Sequence, residues 1–315
     1  MATARHQAPV PPMRSVTIPT PVPTSRRTMR AAHDVVETCD VVYRQAGDAD
    51  LRLDLYVPEG GTSRPSVVYV HGGAWLMGGR REFSERFVAL ARAGVAVASI
   101  DYRTIDRGPY PRQRDDILGA IDWVTEHGAA YGLSTDRAVL MGASAGAHLS
   151  ALAAFAAPDR VAGFVGLFGR YDLTSAGSAV VPASHLQVPE VIRKSVPPPG
   201  FEGLDHRARL ALLAGVEPGD LSEAVLGGLS PLAQVHAGAP AVLLAHGTGD
   251  AVVHHSHSVR LAEALVSAGT REEVSVMLLP GANHEDPVFA GARFLDGVAE
   301  FVHRCTAQAG ARLHS

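Results

Sequence analysis

Gly142-Ala143-Ser144-Ala145-Gly146 stands between an apolar run, Ala138–Met141, and an Ala/Leu-rich run, Ala147–Ala157. A strand that turns into a helix across five small residues constrains this chain more than any other stretch. The turn must be sharp, and its central serine must take strained dihedrals. Small residues two positions to either side let neighbouring backbone approach without a clash. Such a turn lifts the serine hydroxyl above the end of a sheet. The helix N-terminus behind it favours developing negative charge. A small-residue pentapeptide can arise by chance in an Ala/Gly-rich chain, so the flanking strand and helix give this one its meaning.

The rest of the text has the same rhythm from about residue 34 onward. Val41–Tyr43 and Leu51–Val57 alternate like a half-exposed hairpin, with Arg52, Asp54 and Tyr56 on one face. Ser66–Val70, Val95–Ile100, Ala138–Met141, Val161–Phe168, Ala241–Ala245 and Val274–Leu279 read as further strands. Arg81–Ala93, Arg112–Tyr131, Ala147–Ala157, Arg260–Ala268 and Gly291–Arg304 read as helices between or after them. Strands alternating with helices imply crossover units and a mostly parallel sheet with helices on both faces.

Two stretches break the rhythm. Residues 1–30 hold six prolines and no apolar run, so they read as a disordered or loosely packed head without a secretory signal. One α/β domain is expected over 31–310. Within it, residues 172–230 carry few strand-like runs, the Pro-rich Val196–Gly200 and short helical pieces such as Leu204–Leu213. An irregular stretch of this length, leaving from a strand's carboxyl end, reads as a cap or lid; a surface insert without function is the alternative.

Composition excludes several classes. A 315-residue chain with 46% hydrophobic and 19% charged residues can bury a large core. A net charge of −4 argues against nucleic acid as a partner. No apolar run is long enough to span a bilayer, so no membrane partner and a cytoplasmic location are expected. The two cysteines, Cys39 and Cys305, make neither a disulfide framework nor a four-thiolate metal site.

A serine hydroxyl needs a base, itself oriented by an acid. In this architecture the chain order is Ser, then Asp or Glu, then His. Asp250 follows the strand Ala241–Ala245 through His246-Gly247-Thr248-Gly249. His284 follows the strand Val274–Leu279 through Gly281-Ala282-Asn283. Position past a strand end selects this histidine among 15. His254, His255 and His257 follow Asp250 too closely to be its partner and are placed at the start of a surface helix. The spacing offers no metal site, and no cofactor is called for.

An oxyanion hole needs backbone amides aimed at the developing charge. The loop His71-Gly72-Gly73-Ala74-Trp75 follows the strand Ser66–Val70 and can supply them. Gly72, Gly73 and Ala74 are the candidates from the loop, with Ala145 from the residue after the nucleophile. Which loop amides turn inward is open to within one residue. His71 is expected to brace the loop. Trp75, Tyr171, Leu186, Val188 and Phe201 are candidate apolar contacts for substrate, with ordinary packing as the alternative for each.

Together these residues resemble the α/β-hydrolase superfamily. Within it they resemble the esterase branch of hormone-sensitive-lipase-like and feruloyl-esterase-like carboxylesterases and kynurenine formamidases. The resemblance covers about residues 40–305. Its marks are His71–Trp75, Asp101-Tyr102-Arg103, Gly142–Leu149, Ser230-Pro231-Leu232, His246–Asp250 and His284. The lipase-like group carries a third glycine where this chain has Ala74, and that departure looks like the other two groups. The resemblance implies an α/β-hydrolase fold and a serine carboxylesterase acting on a short-chain acyl ester, acetyl among them, of a small molecule. An arylformamidase is the first alternative, and a hydrolase-fold ligand-binding protein without catalysis the second. Relatives of this kind pair through the last helix or the edge strand, so a homodimer is implied as well.

Overall fold

The computed structural model describes residues 28–31, 34–47, 49–60, 63–174 and 197–313. Nine strands form one sheet: β1 (Thr28–Ala31), β2 (Val35–Ala46), β3 (Ala49–Pro58), β4 (Ser66–Val70), β5 (Ala96–Ile100), β6 (Ala138–Ala143), β7 (Val161–Leu167), β8 (Ala241–Gly247) and β9 (Val274–Leu279). Their order across the sheet is β1-β2-β3-β5-β4-β6-β7-β8-β9. β1, β2 and β3 are an antiparallel meander, β3 meets β5 antiparallel, and every pairing from β5 to β9 is parallel.

Parallel strands need crossovers, and among the described residues seven helices accompany the sheet: α1 (Ser84–Arg92), α2 (Arg112–His127), α3 (Ala145–Ala156), α4 (His206–Ala214), α5 (Glu223–Gly228), α6 (Ser256–Ser267) and α7 (Ala292–Leu313). The period-2 alternation of the strands divides the core into two layers. Val67, Tyr69, Val97, Val139 and Met141 pack with Phe87 and Leu90 of α1 and Leu295 and Val298 of α7. Val68, Val70, Ala98 and Leu140 pack with Ile117 and Ile121 of α2, Leu149 of α3 and Leu261 of α6. This is the α/β-hydrolase arrangement that the sequence predicts, and β4, β5 and β6 are buried along their whole length.

Three expectations are corrected. Residues 28–31 pair with β2, so the sheet begins inside the stretch read as a loose head; residues 1–27 lie outside the described residues. The β2–β3 hairpin is not half-exposed on the Asp54 and Tyr56 face, where the two residues are 0% and 3% exposed. Helix α1 covers that face: Tyr56 packs on Phe87 at 5.2 Å, and Asp54 accepts 2.8 Å bonds from Nε of both Arg80 and Arg81. The helix read over Arg112–Tyr131 stops at His127, where Gly128–Tyr131 tightens into a 3₁₀ turn.

The insertion between β7 and β8 leaves and returns at one point. The Leu173 amide donates to Ser230 Oγ at 2.8 Å, and the Leu232 amide donates to the Tyr171 carbonyl at 2.9 Å. Ser230 Oγ in turn donates to the Leu226 carbonyl. Its described part, from residue 197, contains α4, capped by Asp205, and α5, capped by Ser222. Residues 175–196, the first part of the expected lid apart from 172–174, hold the candidates Leu186 and Val188 and lie outside the described residues.

Candidate active site

Ser144 sits between β6 and α3 at φ 52°, ψ −117°, a strained pair of dihedrals for a residue with a Cβ. A Cβ on Gly142 would lie 2.4 Å from the Gly146 carbonyl oxygen. One on Gly146 would lie 2.1 Å from that of Val70. Both flanking positions are therefore restricted to glycine, which explains the pentapeptide on steric grounds.

The serine, the histidine and the aspartate come from three loops, each past the carboxyl end of a strand. Ser144 Oγ donates to His284 Nε2 at 3.0 Å, and His284 Nδ1 donates to Asp250 Oδ2 at 2.7 Å. His284 is 1% exposed and Asp250 8%, while Ser144 is half-buried and open to an incoming molecule. Asn283 ties the two loops together. Its Oδ1 accepts from the Ala251 amide at 3.1 Å and from the His284 amide at 2.7 Å. Phe168, at the end of β7, packs the edge of its ring on His284.

Asp250 is fully used. Its Oδ1 accepts from the Val252 and Val253 amides, both at 2.8 Å, and its Oδ2 accepts from two histidines. Burial alone would raise its pKa. Hydrogen bonds from His246 and His284 outweigh burial and hold the carboxyl well below the usual range. Asp250 is therefore ionised at neutral pH.

His246 is the residue that sequence reasoning missed here. It is 0% exposed, its Nε2 donates to the Val253 carbonyl at 2.8 Å, and it lies 3.2 Å from Asp250 Oδ2. Its Nδ1 accepts from Ser258 Oγ at 2.8 Å. These partners hold the ring in place as a brace for the carboxylate. The four-residue spacing between His246 and Asp250 was the available signal.

A second missed group lies beside His284. Glu285 has φ 53° and a buried carboxyl whose pKa is raised by burial, with Arg86 opposing. Arg86 is itself 1% exposed. It donates to the Phe289 carbonyl and the Tyr69 hydroxyl, and lies 3.6 Å from Glu285. This buried group anchors the loop that carries His284.

The glycine loop runs alongside the nucleophile: a Cβ on Gly72 would stand 3.3 Å from the Ser144 Cβ. Gly73, Ala74 and Trp75 follow at φ 108°, 52° and 64°, which turns this strip of backbone over. His71 braces it, as its position suggests. Its Nδ1 donates to the Gly72 carbonyl at 2.7 Å, its ring stacks on Tyr102 at 4.4 Å, and the Tyr102 hydroxyl donates to the His71 carbonyl. Ala145 opens α3, where the first amides of a helix have no intrahelical partner.

The apolar candidates fall out differently. Tyr171 is 0% exposed and meets Phe164 edge-on inside the core, so it does not wall a pocket. Trp75 is 3% exposed and packs the loop. Phe201 is half-buried against the α2-side core. His257 is not on the surface: it is 3% exposed, and its Nδ1 accepts from the Asp172 amide, whereas His254 is exposed. A cavity of about 260 Å³ lined by Arg137, Pro158, Gly238, Arg271 and Cys305 lies at the N-terminal ends of β6, β7 and β8, the opposite end of the sheet from Ser144. Among the described residues no helix is long and apolar enough to cross a membrane.

The assembled groups are a hydroxyl, an imidazole placed to accept its proton, a carboxylate that fixes the imidazole tautomer, and amides on two sides. That set can carry out acyl transfer.

Residues 53–265 match the model of the BD-FAE family. Esterase LipQ of Mycobacterium tuberculosis is 30% identical over 275 residues, 82% of this chain and 59% of that protein. The probable isoprenylcysteine alpha-carbonyl methylesterase ICMEL1 of Arabidopsis thaliana is 30% identical over 251 residues, 75% of this chain and 48% of that protein. The chain thus spans between about half and three fifths of the length of these relatives. Among solved structures, a truncated carbohydrate esterase from gut microbiota superposes with a TM-score of 0.68 at 23% identity, over 89% of this chain and 100% of that one. The native esterase Est2 of Thermogutta terrifontis superposes with a TM-score of 0.61 at 25% identity, over 84% of this chain and 90% of that one.

Proposed function

The chain belongs to the BD-FAE family of α/β-hydrolase-fold esterases, and on that premise we propose that it is a serine carboxylesterase for a short-chain acyl ester of a small molecule. The observation that carries this reading is the hydrogen-bonded line Ser144–His284–Asp250 at the carboxyl ends of β6, β8 and β9. Ser144 Oγ attacks the acyl carbonyl carbon while its proton passes to His284 Nε2. Asp250 stabilises the resulting imidazolium. The amides of Ala145 and of the Gly72–Ala74 loop receive the oxyanion, each worth about 3–4 kcal/mol in a site of this kind. His284 then protonates the leaving alcohol, and water, activated by the same imidazole, releases the acid and restores Ser144. No step needs a metal or an organic cofactor.

The similarity to an esterase and a methylesterase favours an ester over an amide bond. Arylformamidase action shares every step except the leaving group, and substrates separate the two. In a series of p-nitrophenyl esters from acetyl to decanoyl, run beside N-formylkynurenine, kcat/KM is expected to peak at a short acyl chain and to exceed the value for N-formylkynurenine. A higher value for the formamide transfers the reading to amide hydrolysis.

A cytoplasmic location and a homodimer belong to the same proposal. β9 ends the sheet among the described residues, and Val274–Leu279 carries no charge. Val276, Leu278 and the neighbouring Val266 of α6 are 39%, 40% and 65% exposed. An uncharged, apolar edge strand invites pairing unless something covers it. Sedimentation equilibrium should give a dimer that Val276→Lys dissociates; a monomeric wild-type protein contradicts it.

A further inference from the structure

The proposed oxyanion amides come from two separate pieces of chain, the loop after β4 and the first turn of α3. The triad does nothing to set the distance between them. The loop is also strained: Ala74 and Trp75 both carry a Cβ at positive φ. Such a strip persists only where its surroundings hold it.

His71 braces the start of the strip, and the side chain of Trp75 ties its end to the nucleophile's helix. The indole Nε1–H donates to His148 Nδ1 at 3.1 Å, with the two rings edge-on at 5.4 Å. His148 lies on α3, one turn beyond Ser144, and its amide donates to the Ser144 carbonyl at 3.1 Å. Its Nε2 lies 2.8 Å from the carbonyl of Leu229, where the insertion returns. An indole N–H can only donate, and a carbonyl can only accept. Both contacts are met by one state of the ring, the neutral imidazole with its proton on Nε2. A cation would point Nδ1–H at the indole N–H.

We propose that His148 is a positioning residue for the oxyanion hole: held neutral with its proton on Nε2, it pins Trp75 to the nucleophile's own helix and so sets the Gly73 and Ala74 amides relative to Ala145 and Ser144. It takes no part in proton transfer, because Leu229 and Trp75 occupy both ring nitrogens. His148 is 0% exposed, and burial lowers its pKa to about 4 against the opposing bond to Leu229, so the required state holds at neutral pH. The inference rests on the serine-hydrolase reading and adds to it the part that aligns the two halves of the hole.

Three variants separate the contacts. Trp75→Phe removes the donor. His148→Gln leaves a donor toward Leu229 but no acceptor near Nδ1, and His148→Asn leaves an acceptor near Nδ1 but no reach to Leu229. With p-nitrophenyl acetate, W75F and H148Q should lose about ten- to a hundredfold in kcat with KM nearly unchanged, because a misplaced donor weakens only the transition state. H148N should recover most of the loss, and the W75F/H148Q double variant should be no worse than the poorer single one. The rate at which a fluorophosphonate labels Ser144 should fall in the same order. In the wild type, ¹⁵N spectra should show His148 as the neutral Nε2–H tautomer at neutral pH, and one of the two indole resonances should move in H148Q but not in H148N.

Losses confined to KM, additive losses, or kcat and labelling rates for W75F and H148Q close to wild type overturn the proposal. So does an Nδ1–H or cationic His148 in the wild type, which decides the matter even if the variants fail to fold. A wild type that labels but hydrolyses no ester removes the esterase reading alone, and the labelling rates still decide the role of His148. A wild type that does neither removes both.

Discussion

Ser144→Ala should abolish ester hydrolysis, with a loss in kcat of about 10⁴-fold or more, while the protein melts at nearly its wild-type temperature. The two halves of that expectation have separate causes. Removing Oγ leaves His284 Nε2 with nothing to deprotonate, so only the oxyanion amides and simple binding remain. The fold is spared because alanine keeps the Cβ and therefore the same strain at φ 52°, and because the constraints on the turn lie in Gly142 and Gly146. Thermal unfolding and p-nitrophenyl acetate kinetics on one preparation check both halves. A variant that loses activity together with its melting transition would say nothing about the nucleophile. One that keeps activity would remove Ser144 from the mechanism.

Asp250→Asn should cost almost as much, about 10⁴-fold in kcat near neutral pH, with KM changed little. The direction follows from the four bonds the carboxylate accepts. Oδ1 receives two backbone amides, from Val252 and Val253, so an asparagine must place its carbonyl oxygen there and its NH₂ on the Oδ2 side. That NH₂ then faces His284 Nδ1, which must give up its proton and become the acceptor. The proton moves to Nε2, and Nε2 can no longer receive the proton of Ser144. His246, which now offers Nε2–H to the same oxygen, meets a donor as well. The change also alters acid stability. A carboxyl held below its unfolded value of about 3.9 contributes stability that is fully present above that pH and is lost as pH falls through the lower folded value. The asparagine variant lacks that dependence, so its stability should fall less steeply with acid than that of the wild type. Steady-state kinetics and acid unfolding of the pair measure both effects.

The parts of the fold that could be read from the sequence are those where one local rule decides. The parallel strands are apolar runs because helices cover both their faces. The turn at Ser144 is recognisable because sterics allow only glycine at its flanks. Asp250 and His284 stand out by position past a strand end, and the structure brings both into hydrogen-bond line with Ser144. What escaped depends on contacts between distant segments. Asp54 and Tyr56 look like an exposed face until α1, with its neighbours Arg80 and Arg81, is laid over them. Tyr171 looks like a pocket wall because it follows a strand end, yet the chain turns it back into the core against Phe164. His246 and His148 sit inside the motifs that carry the family resemblance; only the four-residue spacing to Asp250 points to the first as a brace, and nothing local says that the second holds a tryptophan. Arg86 and Glu285 are 199 residues apart in sequence, and only the packed loop pairs them.

Covalent labelling tests most directly whether Ser144 is an activated nucleophile. Incubation of the wild-type protein with a fluorophosphonate, followed by peptide mass mapping, should place one adduct on Ser144. The adduct should disappear in Ser144→Ala and form slowly in Asp250→Asn. A wild-type protein that stays unlabelled, or that carries its adduct on another serine, would contradict the account.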